Sequence, residues 1–169
     1  MYKLIAPAVA AAVIAPTGLA LAAGPHAHTA HAAPVGGTQR LSFFAPEVQQ
    51  KLLDLGDPGF SLGDELIFTD NVLTRKNGPQ VGTDGGVCTV IRVTDASALA
   101  GTLQCQVTFS LPGGQITAQD LEPTAHLQLP HTVTNAITGG TGRFRGVRGE
   151  NTVTFQSGSA ASLTFLITR

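Results

Sequence analysis

Residues 82–111 read GTDGGVCTVIRVTDASALAGTLQCQVTFSL, and this stretch indicates the class of fold. Its two flanks are rich in Val, Thr and other residues that favour β-strands, whereas the middle, around Ala96 and Ser97, is made of small and polar residues. The pattern predicts two antiparallel strands, at 82–94 and 102–111, with the chain reversing between Ala96 and Ser97.

Cys88 and Cys105 lie on these two predicted strands. A hairpin centred between Ala96 and Ser97 pairs positions whose numbers sum to 193, as 88 and 105 do. Directly opposite residues have Cα atoms about 4.5–5.5 Å apart, a separation that suits a disulfide. We therefore predict a Cys88–Cys105 bond. The alternative is a reactive thiol, which needs a nearby His or positive charge that the sequence does not place beside Cys88.

Outward from this hairpin, further runs of β-forming residues alternate with turn residues. The turns at 77–79 (Asn-Gly-Pro) and 112–114 (Pro-Gly-Gly) supply the positive and fixed φ angles of tight reversals. The predicted strands cover residues 40–45, 64–74, 82–94, 102–111, 114–121, 132–138, 147–156 and 161–168. Only residues 46–55 have the apolar spacing of a short helix. Eight consecutive antiparallel strands predict an all-β fold that is either a sandwich or an up-and-down barrel, and barrel closure removes exposed edges.

Charge and aromatic content exclude several classes of partner. The net charge is -1 and 12% of the residues are charged, so there is no electrostatic footprint for nucleic acid or anionic lipid. There is no Trp, and the one Tyr is at position 2, so aromatic platforms must come from Phe. An eight-stranded barrel has room for side chains or for one small ligand.

The amino-terminal segment has the pattern of an export signal. Lys3 precedes an apolar run at 4–22 that Pro7, Pro16 and Gly18 interrupt, which is unlike a membrane-spanning helix. Cleavage is expected after Ala22 or Ala32. We therefore assign residues 1–33 to the signal and pre-cleavage segment and residues 34–169 to one secreted, extracellular domain with no stable membrane insertion after cleavage. The alternative is an uncleaved anchor.

Three histidines, His26, His28 and His31, lie between the two cleavage sites. No carboxylate or Cys is nearby, and the segment is expected to be removed, so we predict no metal site.

Three segments carry a resemblance to a known family. They are residues 63–74 (GDELIFTDNVLT), 81–88 (VGTDGGVC) and 136–149 (AITGGTGRFRGVRG). Their order and spacing resemble the allene oxide cyclase and dirigent barrel superfamily over about residues 40–169. The resemblance implies an eight-stranded antiparallel barrel, often trimeric, whose apolar cavity holds a reactive small molecule and steers its cyclisation or coupling without a cofactor.

The resemblance also implies site residues. Asp70 matches a polar position on the second strand and is the first catalytic candidate, with capping of a local bend as the alternative. Arg148 matches a dirigent Arg that can face the cavity, with an outward surface position as the alternative. Asn71, Phe43 and Phe109 are the expected ligand contacts.

Two residues of the related cyclases have no evident equivalent in this chain. Cys88 matches a cavity Cys, but the predicted disulfide removes its thiol. The cyclases carry a Glu on the first strand, whereas the first carboxylate here is Glu47, beyond Pro46. A plant-type cyclase reaction is therefore not expected, and the glycines 139, 140 and 142 are assigned to a turn and not to a phosphate cradle.

Three functions stay open at this level: a secreted cyclase-like or dirigent-like protein, a noncatalytic extracellular carrier, and a structural barrel filled by side chains. If the protein is an enzyme, it is a cofactor-independent isomerase or cyclase. Both faces of the third strand are apolar, with Cys88 and Val90 on one side and Val87, Ile91 and Val93 on the other. We therefore expect a homo-oligomer, as a trimer, which a mass measurement by light scattering would test.

Overall fold

The computed structural model describes residues 37–156 and 159–169, apart from the side chains at 126 and 127. The predicted export signal and its three histidines lie outside these residues. The described backbone forms strands β1 (Gln39–Leu53), β2 (Glu65–Leu73), β3 (Gln80–Asp95), β4 (Ala100–Leu111), β5 (Gly114–Pro123), β6 (His131–Gly140), β7 (Arg148–Phe155) and β8 (Ala160–Thr168). Short 3-10 turns at Thr124–Leu127 and Gly142–Phe144 precede β6 and β7.

Each strand pairs antiparallel with the next one, and β8 pairs with β1, so the sheet closes on itself. The prediction of an all-β, eight-stranded antiparallel up-and-down barrel is confirmed for the described residues. No helix in this part of the chain is long and apolar enough to cross a membrane.

The assignment of residues 46–55 to a short helix was wrong, because β1 continues to Leu53. The first half of β1 pairs with β8, from Gln39 opposite Ile167 to Pro46 opposite Ala160. Its second half pairs with β2, from Glu47 opposite Asp70 to Leu53 opposite Glu65. These hydrogen-bonding partners are distant in sequence and outweigh the local helical spacing, since short-range propensity is a weak preference. Glu47 therefore lies on the first strand after all.

The β3–β4 hairpin has the predicted register at its core. Cys88 lies opposite Cys105 with their Cα atoms 4.0 Å apart, and the two residues form the predicted disulfide. Towards the turn, bulges at 90–92 and 93–95 shift the register, so that the strands end at Asp95 and Ala100. The Asp95 carboxylate accepts hydrogen bonds from the Ser97 and Ala98 N–H groups and shapes this turn.

Residues 141–144, directly after β6, form a compact loop against the β4–β5 turn. The Arg143 N–H donates to the Gly113 carbonyl at 2.8 Å, and the Thr141 N–H donates to the Gln115 carbonyl at 2.8 Å. Gly142 has a φ of 56°, and a Cβ there would lie 2.1 Å from the Gly113 oxygen. Both the angle and the close approach require glycine. The assignment to a turn is therefore confirmed for Gly142, whereas it was wrong for Gly139 and Gly140, which end β6 opposite Thr117 and Ile116 of β5.

Phe144, at the end of that loop, joins the buried cluster that fills one end of the barrel. Its buried partners include Leu111, Ile116, Ile137, Val147 and Ile167. Phe165 is at the centre of an aromatic group, with its ring 4.9 Å from that of Phe109 and 6.0 Å from that of Phe43, both edge to face. This end of the barrel is therefore packed with side chains.

Asp64, in the Gly-Asp pair at the start of segment 63–74, has a structural role. Its buried carboxylate accepts hydrogen bonds from the backbone N–H groups of Ser61 at 2.7 Å and Leu55 at 3.0 Å. These bonds lower the pKa of Asp64, because they favour its charged form. The side chain thus fixes the loop between β1 and β2.

Candidate active site in the barrel cavity

The other end of the barrel contains a cavity of about 380 Å³, which is within the range of small-molecule sites. Its lining residues come from all eight described strands, and those most exposed to solvent are Glu47, Gln50, Leu129 and Ser159. These four residues mark the mouth. The predicted capacity for one small ligand is thus matched by an internal space of suitable size.

Most of the cavity wall is apolar. Phe68, Phe109 and Phe155 contribute rings, and smaller side chains such as Val107 and Leu163 lie between them. Gly86 is opposite Phe68 on the neighbouring strand, and a Cβ there would lie 2.7 Å from the Phe68 ring. The absence of a side chain at Gly86 therefore leaves space for this ring in the wall.

A row of carboxyl groups crosses the wall on three consecutive strands. Glu47 of β1 is opposite Asp70 of β2, and Asp70 is opposite Asp84 of β3. All three residues line the cavity. Asp84 is 5% exposed, whereas Glu47 lies at the mouth. The row therefore runs from solvent to the deep interior.

Asp70 and Asp84 form a coupled pair. Burial raises the pKa of Asp84 to about 8, and repulsion from Asp70 and the hydrogen bond with Asp70 act in the same direction. Burial also raises the pKa of Asp70 to about 6, although the hydrogen bond with Asp84 opposes this effect and repulsion from Glu47 adds to it. Near neutral pH the pair holds one proton, on Asp84, because two close carboxylates resist double ionisation.

The Asp84 carboxyl group lines the cavity and shares a hydrogen bond with Asp70. Its Oδ1 atom is buried and has no hydrogen-bond partner among the described residues. A buried carboxyl group with so few donors around it is more stable in its protonated form, in which it can donate a proton.

A second set of polar side chains lies across the cavity from the row formed by Glu47, Asp70 and Asp84. Asp120 and Glu122 of β5 and His131 of β6 all line the space. The Nδ1 atom of His131 lies 3.1 Å from the Gln128 carbonyl oxygen, and since a carbonyl only accepts, Nδ1 carries the hydrogen. The His131 ring stacks on Phe155 with centroids 4.4 Å apart, which fixes its orientation.

The disulfide is part of the cavity wall. Cys88 and Cys105 both line the space, and the Cys105 Sγ lies 3.3 Å from the Glu122 Oε1. These three side chains are close enough to suggest a metal site, with their ligand atoms within 4.8 Å of one another. Because both sulfurs are in the disulfide, neither is a thiolate, and the group lacks the soft ligands that such a site needs.

The structure brings some of the predicted site residues together and separates others. Asp70 and Phe109 line the cavity. Asn71 does not, because successive residues of a strand point to opposite faces and Asp70 points inward. Phe43 packs against Phe165 in the filled end of the barrel and does not line the cavity either. The expected ligand contacts at Asn71 and Phe43 are therefore corrected.

Arg148 is also placed away from the cavity. It lies at the start of β7, is exposed, and donates a hydrogen bond to the Val147 carbonyl at 2.9 Å. It is absent from the cavity lining. Arg148 therefore lies on the surface, as the alternative states, and the prediction that it faces the cavity was wrong. The cost of burying a guanidinium without a partner gives the physical reason.

Sequence reasoning missed four carboxyl groups and one histidine of this site: Glu47, Asp84, Asp120, Glu122 and His131. Asp84 had a usable signal, since it is four residues before Cys88 and strand alternation puts both on one face. Glu47 was dismissed because the extent of β1 was underestimated.

Comparison with known proteins assigns the family. The model of the allene oxide cyclase barrel-like domain matches residues 45–161. With its closed eight-stranded barrel and internal cavity, the chain belongs to the allene oxide cyclase barrel-like family. The resemblance read from the three sequence segments is confirmed. Among curated proteins, the sequence comparison returns no match.

Solved structures give the same fold. A structure described as pyocyanin demethylase is similar with a TM-score of 0.65 and 32% identity, over 77% of this chain and 100% of that one. A pterocarpan synthase dirigent protein has a TM-score of 0.59 and 19% identity, over 85% of this chain and 94% of that one. An exo-specific intermolecular Diels–Alderase has a TM-score of 0.60 and 14% identity, over 78% of this chain and 98% of that one. The last two likenesses concern the fold alone.

Proposed function

We propose that this protein is an exported, cofactor-independent enzyme that binds a hydrophobic, reactive small molecule in the barrel cavity and directs its cyclisation, coupling or related rearrangement. Asp84 acts as the general acid and Asp70 as the general base. The observation that carries the proposal is the position of Asp70 on β2 directly opposite Asp84 on β3, inside a largely apolar cavity whose burial raises the pKa of both carboxyl groups.

The pair is suited to moving protons within one bound molecule. Asp84 gives its proton to a heteroatom of the substrate, where negative charge would otherwise develop. Asp70, ionised above its pKa of about 6, removes a proton from a second position of the same substrate. One proton enters and one leaves, so the substrate is isomerised without net gain or loss of electrons. A further transfer between the two carboxyl groups restores the starting state.

The apolar wall supports the proposal in a second way. A flexible reactive molecule loses most of its conformers on entering a cavity of about 380 Å³, so the walls favour one folding of the substrate before the proton moves. Confinement selects the geometry of ring closure or coupling, and the carboxyl pair then starts the reaction. A dirigent protein and a Diels–Alderase share this fold, which supports a barrel that directs ring closure or coupling.

Replacing one carboxyl group tests the role of the pair. The mature protein is incubated with an organic extract of its source culture and, separately, with pyocyanin, for which one of the similar structures is named. Mass spectrometry identifies compounds that are consumed and compounds that are retained. Asp70→Asn keeps shape and binding, but should slow consumption by about 100-fold or more, since general acid–base groups contribute about 10²–10⁴.

Asp57→Asn is the matched control, because the same change is made at an exposed loop residue away from the cavity. It should behave as the unaltered protein. A compound that every variant retains without consuming would instead indicate a carrier. Failure to retain any compound would indicate a structural barrel.

A further inference from the structure

We infer that Asn135 is a ligand-binding residue of the cavity and that it selects a neutral, largely apolar ligand with a hydroxyl or N–H group. That group donates a hydrogen bond to the side-chain oxygen of Asn135. This inference rests on the proposed function, because it names the substrate class of the same site.

Asn135 is a strongly buried polar residue that faces the cavity. Its exposure is 6%, and among the described residues it shares with Asp84 the distinction of being buried, polar and part of the cavity lining. Its neighbours on β6, Thr134 and Ala136, are exposed, so strand alternation turns Asn135 inward. The surface that the side chain keeps therefore opens into the cavity.

The position of Asn135 marks the floor of the cavity, where the open space meets the packed end of the barrel. Val133, two residues earlier on the same face of β6, lines the cavity, whereas Ile137, two residues later, lies in the packed cluster and does not. Asn151, opposite Asn135 on β7, is completely buried and is not part of the lining. A ligand that fills the cavity to its floor therefore contacts the Asn135 carboxamide.

A chain of two hydrogen bonds orients this carboxamide. The Asn151 Nδ2 atom donates to the Thr164 carbonyl oxygen at 3.4 Å, and a carbonyl can only accept, so the nitrogen of Asn151 is turned to β8. The Asn151 Oδ1 atom accepts a hydrogen bond from the Asn135 Nδ2 atom at 3.2 Å. Asn135 thus uses one N–H group on Asn151 and keeps its Oδ1 atom for another partner.

The Asn135 Oδ1 atom is an open acceptor. Among the described residues, Asn151 is the one hydrogen-bond partner of this side chain, and the bond involves Nδ2. Unlike the Oδ1 atom of Asp84, the Oδ1 atom of Asn135 is not a sealed atom without a partner. Buried amide oxygens normally accept a hydrogen bond. A ligand without a donor would displace water from this oxygen and leave it unpaired, which weakens binding.

The surroundings of Asn135 favour a neutral ligand group. Val133 and Val153 lie opposite each other beside the asparagine pair, and Leu163 is a further apolar residue of the wall. An amide carries no net charge, so it offers a charged group no opposite charge in exchange for lost hydration. A hydroxyl or N–H group on an apolar frame satisfies both the open oxygen and its apolar neighbours.

Two probes with one ring frame test the inference. They are 2-naphthol, whose hydroxyl group can donate a hydrogen bond, and 2-methylnaphthalene, which carries a methyl group at the same place. Their dissociation constants for the purified protein are measured at pH 7 by fluorescence or calorimetry. The readout is the affinity of 2-naphthol divided by that of 2-methylnaphthalene. A change in cavity shape affects both probes alike, whereas loss of the hydrogen bond affects 2-naphthol alone.

Asn135→Leu removes the amide at nearly constant size and should lower this ratio by about fivefold or more, since a buried hydrogen bond is lost. Asn71→Leu is the matched control, because the same exchange is made on the outer face of β2, away from the cavity lining. It should leave the ratio unchanged. Asn135→Leu combined with Asn151→Leu removes both members of the pair, so no partner is left unpaired and folding is kept. The double variant should show the same fall in the ratio.

An unchanged ratio in the single and the double leucine variant would overturn the inference, as would a failure of 2-naphthol to bind at millimolar concentration. A ratio that falls in Asp70→Asn and not in Asn135→Leu would overturn it in favour of the carboxyl pair as the site of the hydroxyl group.

The result is separable from the proposed function. If the ratio depends on Asn135 but no compound is ever consumed, the ligand class stands and the catalytic role fails. If a compound is consumed through Asp70 while Asn135→Leu keeps the original ratio, catalysis stands and the ligand class fails.

Discussion

Asp84 shows how one buried side chain sets both the chemistry and the pH dependence of stability. Its pKa is about 8 in the folded protein, against 3.8 for an unperturbed aspartic acid, so between these values the folded state binds more protons than the unfolded state. The contribution of Asp84 to stability is therefore complete below about pH 4 and is lost as the pH rises through 8. Asp70, with a pKa of about 6, adds a similar loss at lower pH.

Asp84→Asn tests this dependence, because the amide is neutral at every pH and has nearly the same shape. Between pH 6 and pH 8.5 the free energy of unfolding of the original protein should fall, whereas that of Asp84→Asn should stay nearly constant. At pH 8.5 the variant should be more stable by at least about 1 kcal/mol. Urea unfolding at a series of pH values measures both curves.

Asp57→Asn again serves as the control and should reproduce the original slope, since this residue is exposed. Parallel curves for Asp84→Asn and the unaltered protein would mean that Asp84 is ionised in the fold. The general acid assigned above would then be lost as well.

At the level of single elements, the end of β6 and the loop that follows it show why Gly139 and Gly142 differ in importance. Gly142→Ala forces a side chain into a φ of 56° and places Cβ against the Gly113 carbonyl, so we expect a loss of about 2 kcal/mol or more in unfolding free energy. Gly139→Ala should cost much less, because its nearest neighbour for a Cβ is the Thr117 Oγ1 at 3.8 Å. Thermal or urea unfolding compares the two variants. Equal losses would contradict the assigned role of Gly142.

The elements also show what the sequence can and cannot predict. Strand alternation and turn residues are local, so the hairpin register that joins Cys88 to Cys105 was predictable from spacing. The extent of β1 was not, because residues 47–53 are held by β2 through contacts that no local pattern records. Because the first strand was predicted to end at residue 45, Glu47 was excluded from it and was missed as a site residue. The prediction for Arg148 was wrong for a related reason. A match to a position in the family's sequence does not specify which face of the sheet the side chain occupies.

At the scale of the whole molecule, export and the disulfide belong together. We propose that the segment at 1–33 directs the chain to an oxidising compartment, where Cys88 and Cys105 can stay paired. The closed loop has a sequence separation of 17 residues, and a loop of about this length contributes about 3 kcal/mol. A barrel made in a reducing compartment would lack this contribution.

The full chain produced in its source organism tests export. Intact-mass measurement of protein from the culture medium should show a chain that starts at Ala23 or Ala33, with the mass of the oxidised cysteine pair. A chain that keeps Met1 in the membrane fraction would support the uncleaved anchor. A chain that keeps Met1 in the cytosol would contradict export.

The position of the disulfide in the cavity wall has a consequence for the choice of ligand. The chain contains two cysteines, and both are oxidised, so the wall offers no thiol to an incoming molecule. No lysine amine is among the described lining residues either. Soft electrophiles such as epoxides and quinone methides alkylate thiols and amines first. A wall without a thiol or a lysine amine therefore lacks the two groups that such compounds alkylate most readily.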